Sequence, residues 1–297
     1  PFMPENSYII QVDIRANRIG RRAKVNMGVV GDVKDTLKIL NPLIEPKKDD
    51  SFLKRHLKIY ETVKKNLNTY VTNKGAENKI HPEYVMHLIN KKADENAIFT
   101  VDTGMTCVWG ARYLESTGKR TMLGSFNHGS MANAMPQAIG AALAAPERQI
   151  IALCGLSMLL GDLETIVQYK LPVKIIVFNN RALGMVKLEM EVAGLPDNQT
   201  NMLNPDFELV AKAMGMTGFT VRHPDNVESV LESAMKTDGP VLVNIMTDPN
   251  ALAMPPKIEF DQMLGFAQSM YKLILNGRTK EVMETINSNI KHWKEAL

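Results

Sequence analysis

The chain has 297 residues, 45% of them hydrophobic and 23% charged, with a formal net charge of +3. That length supports one large or two modest domains, and the mix is that of an ordinary globular protein. The small charge and the scatter of Lys and Arg argue against a nucleic-acid partner, and no apolar run is long enough to span a bilayer.

The start at Pro1 carries no charged n-region and no apolar h-region, so a secretory precursor is not expected. The sequence "PFMPENSYIIQVDI" enters a strand almost at once, which reads as the interior of a longer protein. Cys107 and Cys154 lie in or beside apolar stretches, as reduced thiols of a cytoplasmic protein do. The histidines are dispersed and form no metal-type spacing with them.

In chain order, Tyr8 to Ile14 is a short β-rich run. Asp32 then stands as an N-cap before a helix with Val33, Leu37 and Leu40 on one face. The polar stretch Glu45 to Ser51 reads as a boundary, followed by a linking helix to about Tyr70 and a loose "TNKGAENK". From His81 the pattern becomes strand and helix in alternation. A helix opens with Pro82 in its first turn; strand "AIFTVD", helix "MTCVWGARYLE" and the short run "RTMLGS" follow. Next come helix "MANAMPQAIGAALAA", strand "QIIALC", helix "SMLLGDLETIVQY" and strand "VKIIVFNN". Helices "LGMVKLEMEVAG" and "PDFELVAKAMG", strand "GFTVR", helix "NVESVLESAMK" and strand "PVLVNIM" complete the rhythm.

Such alternation predicts an α/β fold, a parallel sheet with helices on both faces. The runs "IIVF" and "VLVNI" are apolar at successive positions, as strands covered on both sides require. The tail departs from the rhythm. "AMPPKI" reads as extended, and one last helix carries Val282, Ile286, Ile290, Trp293 and Leu297 along one side. One amphipathic stripe suits a helix docked on the body or on a sister subunit, and equally a helix lying at a membrane surface.

Ligands of open α/β sheets bind beyond the carboxyl ends of the strands. Three turns fall there: "VDTGMT" (Val101 to Thr106), "HGSM" (His128 to Met131) and the pair Asn179-Asn180. Each alone is ordinary turn chemistry. Together they suggest a composite anion and cofactor site, with backbone N–H groups at helix starts able to hold a phosphate.

With these residues in view, the chain resembles the carboxyl-terminal part of a thiamine diphosphate-dependent pyruvate oxidase of the quinone-reducing type. The likeness rests on "GSFNHGSMANAMPQAIGA", "PERQIIALCG", "KLPVKIIVFNN", "LGMVKLEM" and "DGPVLVNI" in combination. "IIQVDI" and "GVVGDVK" resemble the end of that family's central flavin domain. The resemblance implies a thiamine diphosphate-binding fold over residues 79–250, preceded by a flavin-domain remnant at 1–46 and a linker at 47–78. Residues 251–297 would form a tail that docks on a subunit or a membrane. It implies thiamine diphosphate, Mg2+ and FAD as cofactors, pyruvate as substrate, and electrons passed to quinone or oxygen. It also implies a homo-oligomer, dimer or tetramer, in the cytoplasm or peripheral at the inner face of the cell membrane.

Residue by residue, the resemblance places the diphosphate against Thr103, Gly104, Met105 and Thr106, and the cofactor near His128, Gly129 and Gly155. Met131 would prop thiamine between its two rings, although on its own it reads as core packing at a helix start. Asn180 by its side chain and Ala182 by its carbonyl would bind Mg2+. Glu189, nine residues after Asn180, would approach the substrate; its bland reading is a solvated helix carboxylate. Asp13 and Asp32 would contact the adenosine part of FAD, Asp32 doubling as the helix cap. Met185 departs from the aromatic residue common at that place. The carboxylate that activates thiamine would come from the amino-terminal domain of a neighbouring subunit, so this chain alone is expected to be inactive.

The largest departure is at Gly155. The family reads Cys-Gly-Asp-Gly-Gly there, the Asp being a Mg2+ ligand. Here Gly155 is followed by Leu156-Ser157-Met158, and Gly161-Asp162 lies too close to Asn180 to substitute. We read three residues as left out of the sequence rather than truly deleted, because a deletion should shorten the turn beyond what the fold tolerates. Two alternatives stand beside the oxidase. Acetolactate synthase shares the fold and an FAD remnant, though "LGMVKLEM" lacks the Gln-Trp pair usual after "GMV" there. The other is a non-catalytic assembly or membrane-binding module that lost its metal turn.

Overall fold

The computed structural model describes residues 3–4, 6–71, 78–156, 158–252 and 260–296, with side chains described as far as residue 289. The expected loop "TNKGAENK" and the segment "AMPPKI" fall almost wholly outside the described residues. The chain divides into two units, Pro1–Glu61 and Thr62–Leu297.

In the first unit β1 (Ile10–Asp13) pairs in parallel with β2 (Met27–Val30), Ile10 opposite Met27 and Asp13 opposite Val30. Helix α1 (Val33–Leu40) starts at Asp32, whose carboxylate accepts from the Lys34 and Asp35 backbone N–H groups at 2.8 and 3.2 Å. That satisfies two of the four donors a helix start leaves open. No side chain of β1, β2 or α1 is buried. Helix α2 (Ser51–Asn68) contains the division between the units.

The second unit is built on a six-stranded parallel sheet. Its elements run α3 (Pro82–Lys92), β3 (Ile98–Val101), α4 (Met105–Tyr113), β4 (Thr121–Gly124), α5 (Ala134–Ala144) and β5 (Ile150–Cys154). They continue with α6 (Asp162–Gln168), β6 (Val173–Asn179), α7 (Gly184–Val192), α8 (Phe207–Ala213), β7 (Thr217–Val221), α9 (Val227–Lys236) and β8 (Val241–Met246). The strand order is β4-β3-β5-β6-β8-β7. Every position of β3, β5 and β6 is buried, which is why they read as largely apolar runs rather than alternating ones. One core, with Phe99, Trp109, Ile176 and Phe178, lies under α3, α4 and α9. The other, with Met135, Ile166, Val177 and Phe207, lies under α5, α6 and α8. The expected α/β fold with helices on both faces is what the chain adopts.

From β3 the chain goes first to β4 on one side and then, through α5, to β5 on the other. The crevice between β3 and β5 is therefore a topological switch point, where ligands of such sheets bind.

Two local expectations differ from the structure. Helix α5 begins at Ala134, not Met131, because Ala132 takes a left-handed conformation (φ 57°) that no helix continues through. Helix α6 begins at Asp162, so the expected helical residues from Ser157 to Gly161 precede it. In the sequence seven residues, 155–161, lie between β5 and α6, more than the two or so that a βα loop needs, and Ser157 among them lies outside the described residues.

The tail holds two helices rather than one, α10 (Phe260–Leu275) and α11 (Thr279–Ala296). Helix α10 packs on α7, burying Phe266, Met270 and Leu273. Helix α11 is docked on the body as far as Asn289. Val282 is buried, Ser288 Oγ donates to Asp248 Oδ2 at 2.6 Å, and Asn289 Nδ2 donates to the Asn250 carbonyl at 2.7 Å. The side chains of Ile290, Trp293 and Leu297 lie outside the described residues. Among the described residues no helix is long and apolar enough to cross a membrane.

Candidate functional site at the strand tips

The carboxyl ends of β3, β5 and β6 surround a cleft of about 330 Å3. Thr103, Gly104, Met105 and Thr106 form one wall, Gly129 and Met131 the approach from α5, and Gly155 the tip of β5. Asn180, Ala182, Gly184 and Glu189 come from β6 and α7. Ten of the residues singled out in the sequence thus share one cavity. His128 is exposed and does not line it, since the chain turns at Gly129 (φ 71°). Asp13 and Asp32 belong to the first unit. Asp13 accepts from the Arg15 N–H at 2.8 Å and lines a groove there with Arg18, Arg21 and Arg22.

Gly104 makes the first wall. Its φ of 123° and ψ of −150° are open essentially to glycine alone, and they turn the chain from β3 straight into α4. The first N–H groups of α4 have no partner within the helix and face this end of the sheet. Met131 is 52% exposed, which removes the reading of it as core packing.

The β6 end is fixed by its amides. Asn179 is buried; its Nδ2 donates to Asn244 Oδ1 at 2.9 Å and its Oδ1 accepts from Asn204 Nδ2 at 3.1 Å. It is a lock, not a ligand. Asn180 Oδ1 accepts from the Ala182 N–H at 3.0 Å, in a turn where Arg181 has φ 54°. The Asn180 amide lies so close over Gly184 that a Cβ there would sit 2.9 Å from Nδ2.

Sequence reasoning missed two residues. Asp102, last before the first wall, is 2% exposed and ties the switch point together. Its Oδ1 accepts from the Ala134 N–H at 2.8 Å and its Oδ2 from the Gly155 N–H at 2.9 Å. Burial pushes its carboxyl above the usual range, while the N–H groups of Ala134, Gly155 and Asn133 pull it back. An aspartate at a strand end is common turn chemistry, so nothing in the sequence marks it. Trp109 is the second. It lines the cleft, 2% exposed, with its ring centroid 5.8 Å from that of Phe178, and its indole N–H meets no acceptor among the described residues.

Asp102→Asn should destabilise the protein by about 2 kcal/mol, because the new NH2 faces a buried N–H that then has no acceptor. Urea midpoints at constant slope measure this; an unchanged midpoint would show that the two bonds hold nothing in place.

Mg2+ takes hard oxygen donors, usually one or two carboxylates plus phosphate and water. The donor set here does not fit that pattern. Of the residues lining the cleft only Glu189 is a carboxylate, and both oxygens of Asp102 are engaged by backbone N–H groups. Among the described residues no group of three or more His, Cys, Asp or Glu could hold a metal. A thiamine diphosphate would find backbone N–H groups, the Thr103 and Thr106 hydroxyls and an apolar wall of Met131, Trp109 and Leu183, which do suit its phosphates and rings.

Residues 102–245 match the model of the thiamine pyrophosphate enzymes, C-terminal TPP-binding domain. Over 296 residues the chain is 31% identical to YdaP of Bacillus subtilis, provisionally described as thiamine pyrophosphate-containing; the match covers 98% of the chain and 50% of that protein. It is 32% identical over 275 residues to the acetolactate synthase large subunit of Porphyra purpurea, covering 89% of the chain and 46% of the relative. With the chloroplastic acetolactate synthase 1 of Nicotiana tabacum it shares 26% over 261 residues, covering 83% and 39%. The chain thus spans half or less of the length of each of these three relatives.

Proposed function

We propose that this chain, which through residues 102–245 belongs to the thiamine pyrophosphate enzymes, supplies the diphosphate-binding half of an enzyme that decarboxylates pyruvate. The observation that carries the reading is the single cleft in which Thr103 to Thr106, Gly129, Met131, Gly155, Asn180 and Glu189 converge at a switch point.

Bound there, thiamine diphosphate would supply a thiazolium that takes up the electron pair released as CO2 leaves the keto acid. The chain's own part is placement. Backbone N–H groups from Gly104 to Thr106, with the two threonine hydroxyls, would hold the phosphates. Met131 would set the angle between the two rings, and Trp109 would offer its free N–H. Glu189, exposed on α7, is the group placed to hold or move a proton on the substrate side.

Two fates of the decarboxylated fragment compete. Joining it to a second pyruvate gives acetolactate, and the named relatives favour this fate over the oxidase reading. Oxidation to acetate, with two electrons passed to an acceptor, keeps one specific observation in its favour. Lys187-Leu188-Glu189 follows Gly184-Met185-Val186 where the synthases usually carry Gln-Trp. FAD is proposed with either fate, as an electron carrier in the second alone, with Asp13 and the arginines of its groove as the candidate contacts. Self-association is proposed with either.

Titration with thiamine diphosphate is expected to quench Trp109 emission. Pyruvate turnover by the chain alone is expected to stay well below about 1 per second, the low end of enzyme rates, since the activating carboxylate is proposed to lie elsewhere. Acetolactate formed without an electron acceptor would select the first fate. Acetate formed only with a dye would select the second. Absence of quenching would overturn the cofactor reading, and brisk turnover would overturn the division of the site.

A further inference from the structure

We infer that this cleft receives the diphosphate without a divalent cation held by the protein, and that the turn after β5 is where such a requirement is absent. The inference rests on the thiamine diphosphate reading above and deepens it.

From Gly155 to Gly161 the sequence contains no Asp or Glu. Asp162 opens α6 and does not line the cleft. Asp102 stands beside the turn, but it is 2% exposed, does not line the cleft, and already accepts from Ala134 at Oδ1 and Gly155 at Oδ2. Asn180 Oδ1 already accepts from the Ala182 N–H. What remains for a cation is neutral oxygen, which is a poor exchange for the water that Mg2+ must shed. Glu189 is the sole carboxylate of the lining, and it lies on α7, five residues past Gly184.

No Lys or Arg lines the cleft either. The phosphate charge would be met by backbone N–H groups where α4 follows Gly104 and α7 follows Leu183. Such a site would meet the anion with dipoles alone. It also binds that anion less tightly than a site with a carboxylate-held cation would, because fixed dipoles carry only part of a full charge.

Two chains decide the matter: the native one, and a variant with Asp-Gly-Gly inserted between Gly155 and Leu156. Thiamine diphosphate affinity is read from Trp109 emission in EDTA and in excess MgCl2. Mn2+ bound per chain is read by paramagnetic resonance, with inorganic pyrophosphate present. The native chain is expected to change its dissociation constant by less than about threefold with Mg2+ and to hold no Mn2+ beyond that of pyrophosphate itself. The insertion variant is expected to gain at least about tenfold and to hold one Mn2+. A tenfold gain, or one bound Mn2+, in the native chain would overturn the inference. So would an insertion variant that gains nothing, since the turn would then not be the seat of the difference. If neither chain quenches Trp109 under any condition, the cofactor reading fails by itself, and the Mn2+ counts still decide the metal question.

Discussion

Gly265→Ala should cost about 3 kcal/mol of stability, although the same change in an exposed helix interior usually stabilises by about 0.5–1 kcal/mol. Gly265 lies in α10, where that helix crosses the end of α7. A Cβ built on it would stand 2.0 Å from the Val192 carbonyl oxygen, 2.9 Å from the Val192 carbonyl carbon and 3.2 Å from the Gly194 nitrogen. All three are backbone atoms, so no rotamer change relieves the overlap; α10 has to move away. Moving it strains the burial of Phe266, Met270 and Leu273, and the bonds from Ser269 Oγ to the Leu195 carbonyl (2.9 Å) and Lys272 Nζ to the Gly194 carbonyl (2.8 Å). Gly140→Ala is the control. Gly140 is an exposed residue of α5 with nothing within 4 Å of a new Cβ, so this variant should gain up to about 1 kcal/mol. Urea denaturation of both, at constant slope, gives the comparison. Equal midpoints would mean that α10 docks more loosely than the close approach requires. Because α7 carries Gly184, Met185 and Glu189 into the cleft, Gly265→Ala should also weaken ligand binding, as Gly140→Ala should not.

Helix α10 is also where the sequence was least legible. Its apolar residues surround it: Met263, Leu264, Tyr271 and Leu275 are exposed while Phe266, Met270 and Leu273 are buried. No clean stripe stands out, and the glycine that fixes its position reads as a helix breaker. The strands were legible for the opposite reason. Burial on both faces leaves β5 and β6 no choice but Ile, Val, Leu and their like, apart from Asn179 at the tip and Lys174, whose ammonium reaches the Thr237 and Gly239 carbonyls at the rim. Of the cleft, the glycines and amides at strand tips could be read from type and spacing, because turns and close backbone approach demand them. Asp102 and Trp109 could not, since what distinguishes them is a partner far along the chain or the lack of one.

The same α7 that faces the cleft hides a carboxylate, and stability should fall as pH rises because of it. Glu191 is 0% exposed, and neither of its oxygens meets a hydrogen-bond donor among the described residues. Lys187 Nζ is 4.0 Å away, but it is drawn to Glu281 on α11 at 2.9 Å. Arg278 is committed to Asp197 and Glu281, each at 2.7 Å. Burial therefore raises the Glu191 pKa from the usual 4.5 to about 7; Lys187 and Arg278 oppose the rise, while Asp197 and Glu281 add to it. With the folded pKa above the unfolded one, the folded chain binds more protons between these two values. Its stability contribution is full below about 4.5, declines through the interval and is gone above about 7. A rise of that size corresponds to about 3 kcal/mol. Glu191→Gln keeps the shape and removes the proton requirement. It should leave stability near pH 4.5 little changed, restore most of that energy at pH 8, and flatten the slope between. Chemical denaturation of both proteins across this range is the measurement, and parallel curves would mean that Glu191 folds as an anion held by Lys187. The expected curve also makes the docking of α11 on α7 loosest at alkaline pH, where an unpaired charge on Glu191 adds to the acidic side of the Lys187, Arg278 and Glu281 cluster.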